Sequence, residues 1–203
     1  MKVIKKINTS AALALDSAGH EVVILGKGVG FPPVPYELED LSRVERTFYD
    51  IDPKYLGMIR DLPKEILMVS ADIAEQAELE LDCQLNPNMP LTLADHLSFA
   101  IERMRKNFDL TAPIAYDIGH LYPGEYELGK QALQMLEEQT GICLPQNEAV
   151  SVALHLINAE TENSDLHSFI PMMNIMGEVD DLIEQSLNIR LDKDGYNYSR
   201  FAA

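Results

Sequence analysis

The first 31 residues, MKVIKKINTSAALALDSAGHEVVILGKGVGF (Met1–Phe31), decide how this chain begins to fold. Three short apolar runs, Val3–Ile7, Ala11–Leu15 and Val22–Leu25, contain β-branched residues and polar interruptions, a pattern typical of strands. The residues between these runs include Asn, Asp, Ser and Gly, which favour the tight turns of hairpins. A fourth strand is predicted over Arg46–Ile51. A sheet of about 50 residues is marginally stable alone, which favours pairing with a second copy.

The rest of the chain changes from the period of a strand to that of a helix. Phe31–Pro35 holds three prolines, which exclude a helix or a central strand there. From about Leu62 onward, apolar residues recur at helical spacing. Helices are predicted over Gly124–Thr140, Asn147–Ala159 and Phe169–Leu187. The expected fold is therefore a small β-sheet followed by an all-α helical bundle.

The charge of the chain is divided in the same way. Its 203 residues are 46% hydrophobic, which is enough for buried cores. The formal net charge of −17 comprises +2 over residues 1–36 and −19 over the remainder. Because binding to a phosphate backbone depends on basic residues, any nucleic-acid site must be local to the basic segment.

The composition also limits the compartment and the metal chemistry. No run approaches the length of a membrane span and no secretory signal is present, so we expect a cytoplasmic protein without membrane insertion. Cys83 and Cys143 lack the spacing of a zinc site, and both are expected to be buried free thiols.

The Gly26-Lys27-Gly28 segment invites comparison with a nucleotide-binding loop. It lacks the Ser or Thr that follows the lysine of a P-loop, and no helix follows it. One interpretation is a loop whose glycines let a ligand approach while Lys27 reaches a phosphate. The other is a simple glycine-rich turn. Phe31 also has two interpretations, because its ring could stack on an unpaired base or pack in a core.

Three stretches in this region, Lys2–Asn8, Gly26–Phe31 and Val44–Phe48, carry a family resemblance. They resemble the co-antiterminator RNA-binding (CAT) domain of the BglG/SacY/LicT family of transcriptional antiterminators. The resemblance implies a dimer of antiparallel four-stranded sheets that grips an RNA hairpin overlapping a terminator. The implied RNA contacts are Lys5, Asn8, Ser10, Gly26, Lys27, Gly28 and Phe31. The family often has asparagine at the position of Ser10 and arginine at that of Lys27; lysine keeps the charge but lacks the bidentate fork.

Two histidines lie on partly apolar helical faces. His96 shares its stripe with Leu93, Phe99 and Arg103, whereas His155 lies in Glu148–Ala159. Spacing alone leaves two interpretations open, a hydrogen-bonded core histidine or a functional one.

A second resemblance bears on these histidines. Asp95–Arg103, Tyr122–Gly129 and Glu148–Ala159 match, in order, the PTS regulation domain (PRD) that follows the CAT domain in this family. It implies that His96 and His155 accept phosphate from the sugar phosphotransferase system, through the sugar permease EII, the phosphocarrier HPr, or both. The added negative charge is expected to be repulsive between the two acidic subunits and to reorganise them, unless an arginine such as Arg103 pairs with the phosphoryl group.

The resemblance also implies domain boundaries. The CAT domain is expected over residues 1–56, a first PRD over 62–169, and the truncated start of a second PRD over 170–203. The remaining histidines, His20, His120 and His167, are expected at the surface. A metal site of His120 with Asp117, Glu125 and Glu127 is not favoured, because the spacing fits no trusted ligand set.

Three classes of function stay in view. The leading hypothesis is a homodimeric RNA-binding antiterminator that needs no cofactor and is not an enzyme, because no nucleophile, base and oxyanion donor set is legible. The second is a scaffold whose sheet only dimerises. The third is a helical metal-dependent hydrolase built on Asp95, His96 and His155.

Overall fold

The N-terminal part of the molecule is a five-stranded antiparallel sheet. The computed structural model describes residues 1–106, 118–119, 121–160, 179–180 and 182–191. The strands are β1 (Lys2–Lys6), β2 (Ala11–Leu15), β3 (Glu21–Gly26), β4 (Tyr36–Glu37) and β5 (Val44–Phe48). They lie in the order β4-β1-β2-β3-β5.

The prediction of four strands was therefore one strand short. The extra strand, β4, follows the proline-rich segment and pairs at the edge of the sheet, where Lys2 is opposite Glu37 and Val3 is opposite Tyr36. Two residues are too few to show an alternating pattern, so this strand could not be predicted from the sequence. The strand predicted over Arg46–Ile51 starts earlier and is β5.

The helices follow the sheet in chain order. They are α1 (Leu56–Asp61), α2 (Lys64–Leu81), α3 (Met89–Arg105), α4 (Pro123–Thr140) and α5 (Glu148–Ala159). The sequence did not predict α1, because its six residues bury only Ile59 and show no periodic stripe. Gly141 ends α4 in the left-handed conformation, with φ of 71°, as expected for a glycine after a helix. Most of the helix predicted over Phe169–Leu187 lies outside the described residues.

The sheet buries both of its faces. On one face Val3, Ala12 and Ile24 pack with Val29 and Leu38 from the segment between β3 and β5. The other face contributes its apolar side chains to the core of the helices; these are Ala11, Val23, Leu25 and Phe48.

Polar contacts also join the sheet to the helices. Arg46 of β5 forms ion pairs with Asp72 and, at 3.0 Å, with Glu75 of α2. Lys64 at the start of α2 pairs with Glu45 of β5 at 2.5 Å. The sheet is therefore held against α2 by both apolar and charged contacts.

The structure shows the burial of the two cysteines and the lengths of the apolar helices. Cys83 and Cys143 are free thiols, but Cys83 is half-buried and Cys143 is exposed, so the prediction that both are buried was wrong. Within the described ranges, no helix is long and apolar enough to cross a membrane.

Candidate functional site

Two loops at one end of the sheet lie directly against each other. The loop between β1 and β2 accepts hydrogen bonds from the loop after β3, through Gly26 N to Ser10 O at 2.9 Å and Gly30 N to Thr9 O at 3.2 Å. A Cβ at Gly30 would stand 1.9 Å from the carbonyl oxygen of Asn8, so only glycine permits this approach. The structure thus brings Asn8, Ser10 and the Gly26–Phe31 segment into one surface.

Arg43 stabilises the Gly26-Lys27-Gly28 turn through hydrogen bonds to its backbone. Its guanidinium donates to the carbonyl of Gly28 at 2.8 Å and to that of Lys27 at 3.3 Å. Gly28 has a φ of 68°, a conformation that favours glycine. Sequence reasoning missed Arg43, because its contacts bridge 15 and 16 residues of chain.

The predicted RNA-contact side chains differ in how freely they face solvent. Phe31 is 78% exposed, which is unusual for a phenylalanine and leaves its ring open to stacking. Lys5, near the end of β1, and Lys27 are also exposed, whereas Ser10 is half-buried. These exposed groups supply two positive charges and one aromatic ring.

Asn8 is already engaged within the chain. Its side-chain amide donates to the carbonyls of Ile59 at 3.3 Å and Arg60 at 3.4 Å, near the end of α1. Its side-chain oxygen accepts from the backbone amide of Ser10 at 2.8 Å. In this structure, the amide of Asn8 ties the loop to α1.

The two candidate histidines lie together between α3 and α5. The rings of His96 and His155 have centroids 5.1 Å apart and an interplanar angle of 49°. The side chain of His96 is 16% exposed, so it is accessible without being fully solvated. Residues 59 positions apart in sequence therefore form one cluster.

Glu148, the first residue of α5, anchors this cluster. One of its carboxylate oxygens accepts from Nη2 of Arg103 at 2.6 Å, and the other lies 3.1 Å from Nε2 of His96. Arg103 also lies over the ring of Phe99, 4.9 Å from its centroid. From the sequence, Arg103 was expected to pair with a phosphoryl group. In the structure it is paired with Glu148, a partner that the sequence did not reveal.

The electrostatics of the cluster follow from burial and from these hydrogen bonds. Burial, with a smaller contribution from the charge of His96, lowers the pKa of His155 to about 4. The hydrogen bond from His96 and the contacts with Arg103 lower the pKa of Glu148 despite its burial. At neutral pH, Glu148 is therefore a carboxylate and His155 is a neutral ring with a nucleophilic nitrogen.

A cavity of about 80 Å³ lies beside His155. Its lining includes Tyr55, from the segment that connects the sheet to α1, and Asn88 and Thr92 around the start of α3. Asn88 also accepts a hydrogen bond from the backbone amide of Asp52 at 2.9 Å. The surroundings of His155 thus contact the chain that joins the sheet to the helices.

The residues proposed for a metal-dependent hydrolase do not form a metal centre in the described part of the chain. No group of three His, Cys, Asp or Glu side chains there is arranged to hold a metal ion. Asp95 is exposed, although His96 and His155 are neighbours. His20 is 73% exposed in a turn, as predicted. Asp117, His120 and His167 lie outside the described residues.

Known proteins are similar to this chain in sequence. Residues 1–54 match the family model of the CAT RNA binding domain, and residues 71–159 match that of the PRD domain. The chain is 32% identical over 205 residues to the transcription antiterminator LicT of Bacillus subtilis (strain 168), covering 99% of this chain and 74% of that protein. It is 27% identical to the beta-glucoside operon antiterminator of Dickeya chrysanthemi, covering 99% and 72%.

A solved structure is similar as well. The crystal structure of GlcT CAT-PRDI superposes with a TM-score of 0.64 at 29% identity, covering 79% of this chain and 99% of that one. The likeness therefore includes both the sheet and the helices.

Proposed function

Because this chain belongs to the BglG/SacY/LicT family of transcriptional antiterminators, we propose that it binds, as a homodimer, an RNA hairpin that overlaps a terminator. Residues 1–56 are the RNA-binding unit, residues 62–169 the regulation domain, and residues 170–203 the start of a second one. The protein acts in the cytoplasm as a substrate of phosphotransfer and not as an enzyme.

The observation that carries the RNA-binding proposal is the pair of interlocked loops at the end of the sheet. They present the open ring of Phe31 and the exposed side chain of Lys27, and Lys5 is exposed near the end of β1. Base stacking on an aromatic ring, with lysines on the phosphates, is how proteins recognise the unpaired parts of a hairpin. Gly26 and Gly30 let this loop pack against the backbone carbonyls of Arg43 and Asn8, which fixes the shape of the surface offered to RNA.

The same proposal assigns the histidine cluster to regulation. His96 and His155 accept phosphate from the sugar permease EII, the phosphocarrier HPr, or both. A phosphoryl group adds up to two negative charges to a cluster that already contains the carboxylate of Glu148. This charge reorganises the paired bodies so that the RNA-binding units lose their dimer, and the unphosphorylated protein binds RNA.

RNA binding is tested with the full chain and the RNA that co-purifies with it. After that RNA is sequenced, the affinity of its hairpin is measured for the wild type, Lys5→Ala, Lys27→Ala and Phe31→Ala. Each lysine variant should bind more weakly, and the slope of log affinity against log salt concentration should fall by about one, because one phosphate contact is lost. Phe31→Ala should lose about 1 to 3 kcal/mol of binding free energy.

Lys54→Ala is the matched control, because Lys54 is an exposed lysine in the segment between β5 and α1, away from the two loops in sequence and paired with Asp52 at 3.0 Å. Unchanged affinity in all three loop variants would favour the alternative of a scaffold whose sheet only dimerises.

Phosphorylation is tested by labelling the full chain with purified phosphotransferase proteins. Replacing both His96 and His155 by alanine should abolish the label, whereas His20→Ala should leave it unchanged. Label that persists in the double variant would move the acceptor to another histidine.

A further inference from the structure

The contacts of Glu148 distinguish the two nitrogen atoms of His96. The carboxylate lies 3.1 Å from Nε2, and Arg103 holds the other carboxylate oxygen at 2.6 Å. Glu148 is 6% exposed, so water competes little for these bonds. None of the described residues forms a hydrogen bond with Nδ1 of His96.

The chemistry of this contact fixes the position of a proton. An ionised carboxylate only accepts hydrogen bonds, so Nε2 of His96 must be the donor. A neutral imidazole carries one proton, and its other nitrogen then holds the lone pair. With the proton on Nε2, the nucleophilic nitrogen of His96 is Nδ1.

We propose that Glu148 is a positioning residue that makes Nδ1 of His96 the phosphoryl acceptor. This inference rests on the proposed function, in which His96 receives a phosphoryl group from a transfer protein, and it takes a phosphohistidine as the donor group. The lone pair of Nδ1 attacks phosphorus, a P–N bond forms, and the P–N bond of the donor breaks with its electron pair returning to the donor ring.

Glu148 also favours the product of this step. The His96 ring keeps its proton on Nε2 and becomes positively charged as the new bond forms at Nδ1. The carboxylate faces that proton, so it stabilises the charge that develops during transfer. A phosphoryl group on Nε2 would instead place like charges against each other at Glu148. Arg103 keeps the carboxylate in the orientation that this role requires.

The tautomer is tested without any phosphorylation. The chain of residues 1–203 with ¹⁵N-labelled histidine is measured by long-range ¹H–¹⁵N correlation NMR, and the His96 signals are assigned with His96→Ala. We expect the proton on Nε2 and the lone pair on Nδ1 in the wild type. Glu148→Gln should give a mixture of tautomers, because an amide both donates and accepts. A wild-type lone pair on Nε2 would overturn the proposal even if the variant failed to fold.

The acceptor atom is then tested with phosphoramidate, a small phosphoryl donor, and NMR of the product. Wild-type His96 should carry phosphate on Nδ1, whereas Glu148→Gln should react about tenfold more slowly and give both isomers. Glu102→Gln is the control, because Glu102 lies on α3, the helix of His96, and is 64% exposed. This variant should behave as wild type.

The outcomes separate this inference from the function on which it rests. Phosphate on Nε2 of wild-type His96, or an unchanged rate in Glu148→Gln, would overturn the role of Glu148. Reaction at Nδ1 with phosphoramidate, with no label on His96 from the phosphotransferase proteins, would overturn the proposed function and leave the positioning role supported.

Discussion

His155 shows how one buried residue couples the stability of this protein to pH. Its pKa of about 4 lies below the ordinary value of 6.5 because the ring is buried beside His96. The native state therefore keeps His155 neutral at pH values where the unfolded chain binds a proton. Stability contributed in this way is complete above about pH 6.5 and is lost as the pH falls toward 4.

We predict that His155→Gln flattens the pH dependence of unfolding between about pH 6.5 and 4. The wild type should lose about 3 kcal/mol more than the variant over this interval, because a shift of one pKa unit corresponds to about 1.4 kcal/mol. Urea unfolding at a series of pH values measures the difference. His20→Gln is the control, since His20 is 73% exposed. Parallel curves for the wild type and His155→Gln would contradict the prediction.

Among the helices, the contact between α4 and α5 depends on one small residue. Gly129 lies where a Cβ would stand 2.2 Å from the carbonyl oxygen of Ala149, a backbone atom that cannot move aside alone. This close approach positions α5, and with it Glu148 and His155. The element that carries half of the histidine cluster is therefore placed by a glycine on its neighbour.

We predict that Gly129→Ala destabilises the protein by about 2 to 4 kcal/mol, because overpacking forces α4 and α5 apart. Gly57→Ala in α1 is a matched control with nothing within 4 Å of its added Cβ, and it should be neutral or stabilising by up to about 1 kcal/mol. Denaturant unfolding measures both variants. Equal effects would show that helix propensity, not the close contact, decides the outcome.

At the scale of the whole molecule, the sheet and the helices share one apolar core. Leu25 and Phe48 of the sheet belong to the same buried cluster as Ile66 and Ile73 of α2. The ion pairs of Arg46 with α2 and the bonds from Asn8 to α1 reinforce this contact. We therefore expect the two parts to unfold together.

We predict that Leu25→Ala, a change in the sheet, lowers the stability of the helices as well. Truncating a leucine that is 1% exposed should cost about 2 to 5 kcal/mol. Hydrogen exchange should show this loss at amides of both the sheet and α2. Leu79→Ala, at a leucine of α2 that is 78% exposed, should change stability by less than about 0.5 kcal/mol. Unchanged protection in α2 of Leu25→Ala would mean that the two parts unfold independently.

Local pattern explains why much of this architecture was predictable. β2, β3, α4 and α5 were predicted within a residue or two of their observed bounds, because each has a clear apolar period and turn residues at its ends. The two-residue β4 and the six-residue α1 were missed, since they are too short to show a period and form where the rest of the sheet and the helices support them.

The candidate sites divide in the same way. Lys5, Lys27, Phe31, His96 and His155 were predicted from the family resemblance of short stretches, because such a resemblance is carried by residues close together in the chain. Their partners were not. Arg43 beneath the glycine turn, Ile59 and Arg60 against Asn8, and Glu148 against His96 all join residues distant in the chain.

Residue pattern and composition predict the order of β then α elements and the basic segment ahead of an acidic body, and the family resemblance names the candidate contact and acceptor residues. The shared core of sheet and helices, and the contact of His96 with His155 and Glu148, are visible only in the folded chain. Strand and helix patterns depend on residues a few positions apart, whereas an ion pair or a shared core depends on how distant segments pack.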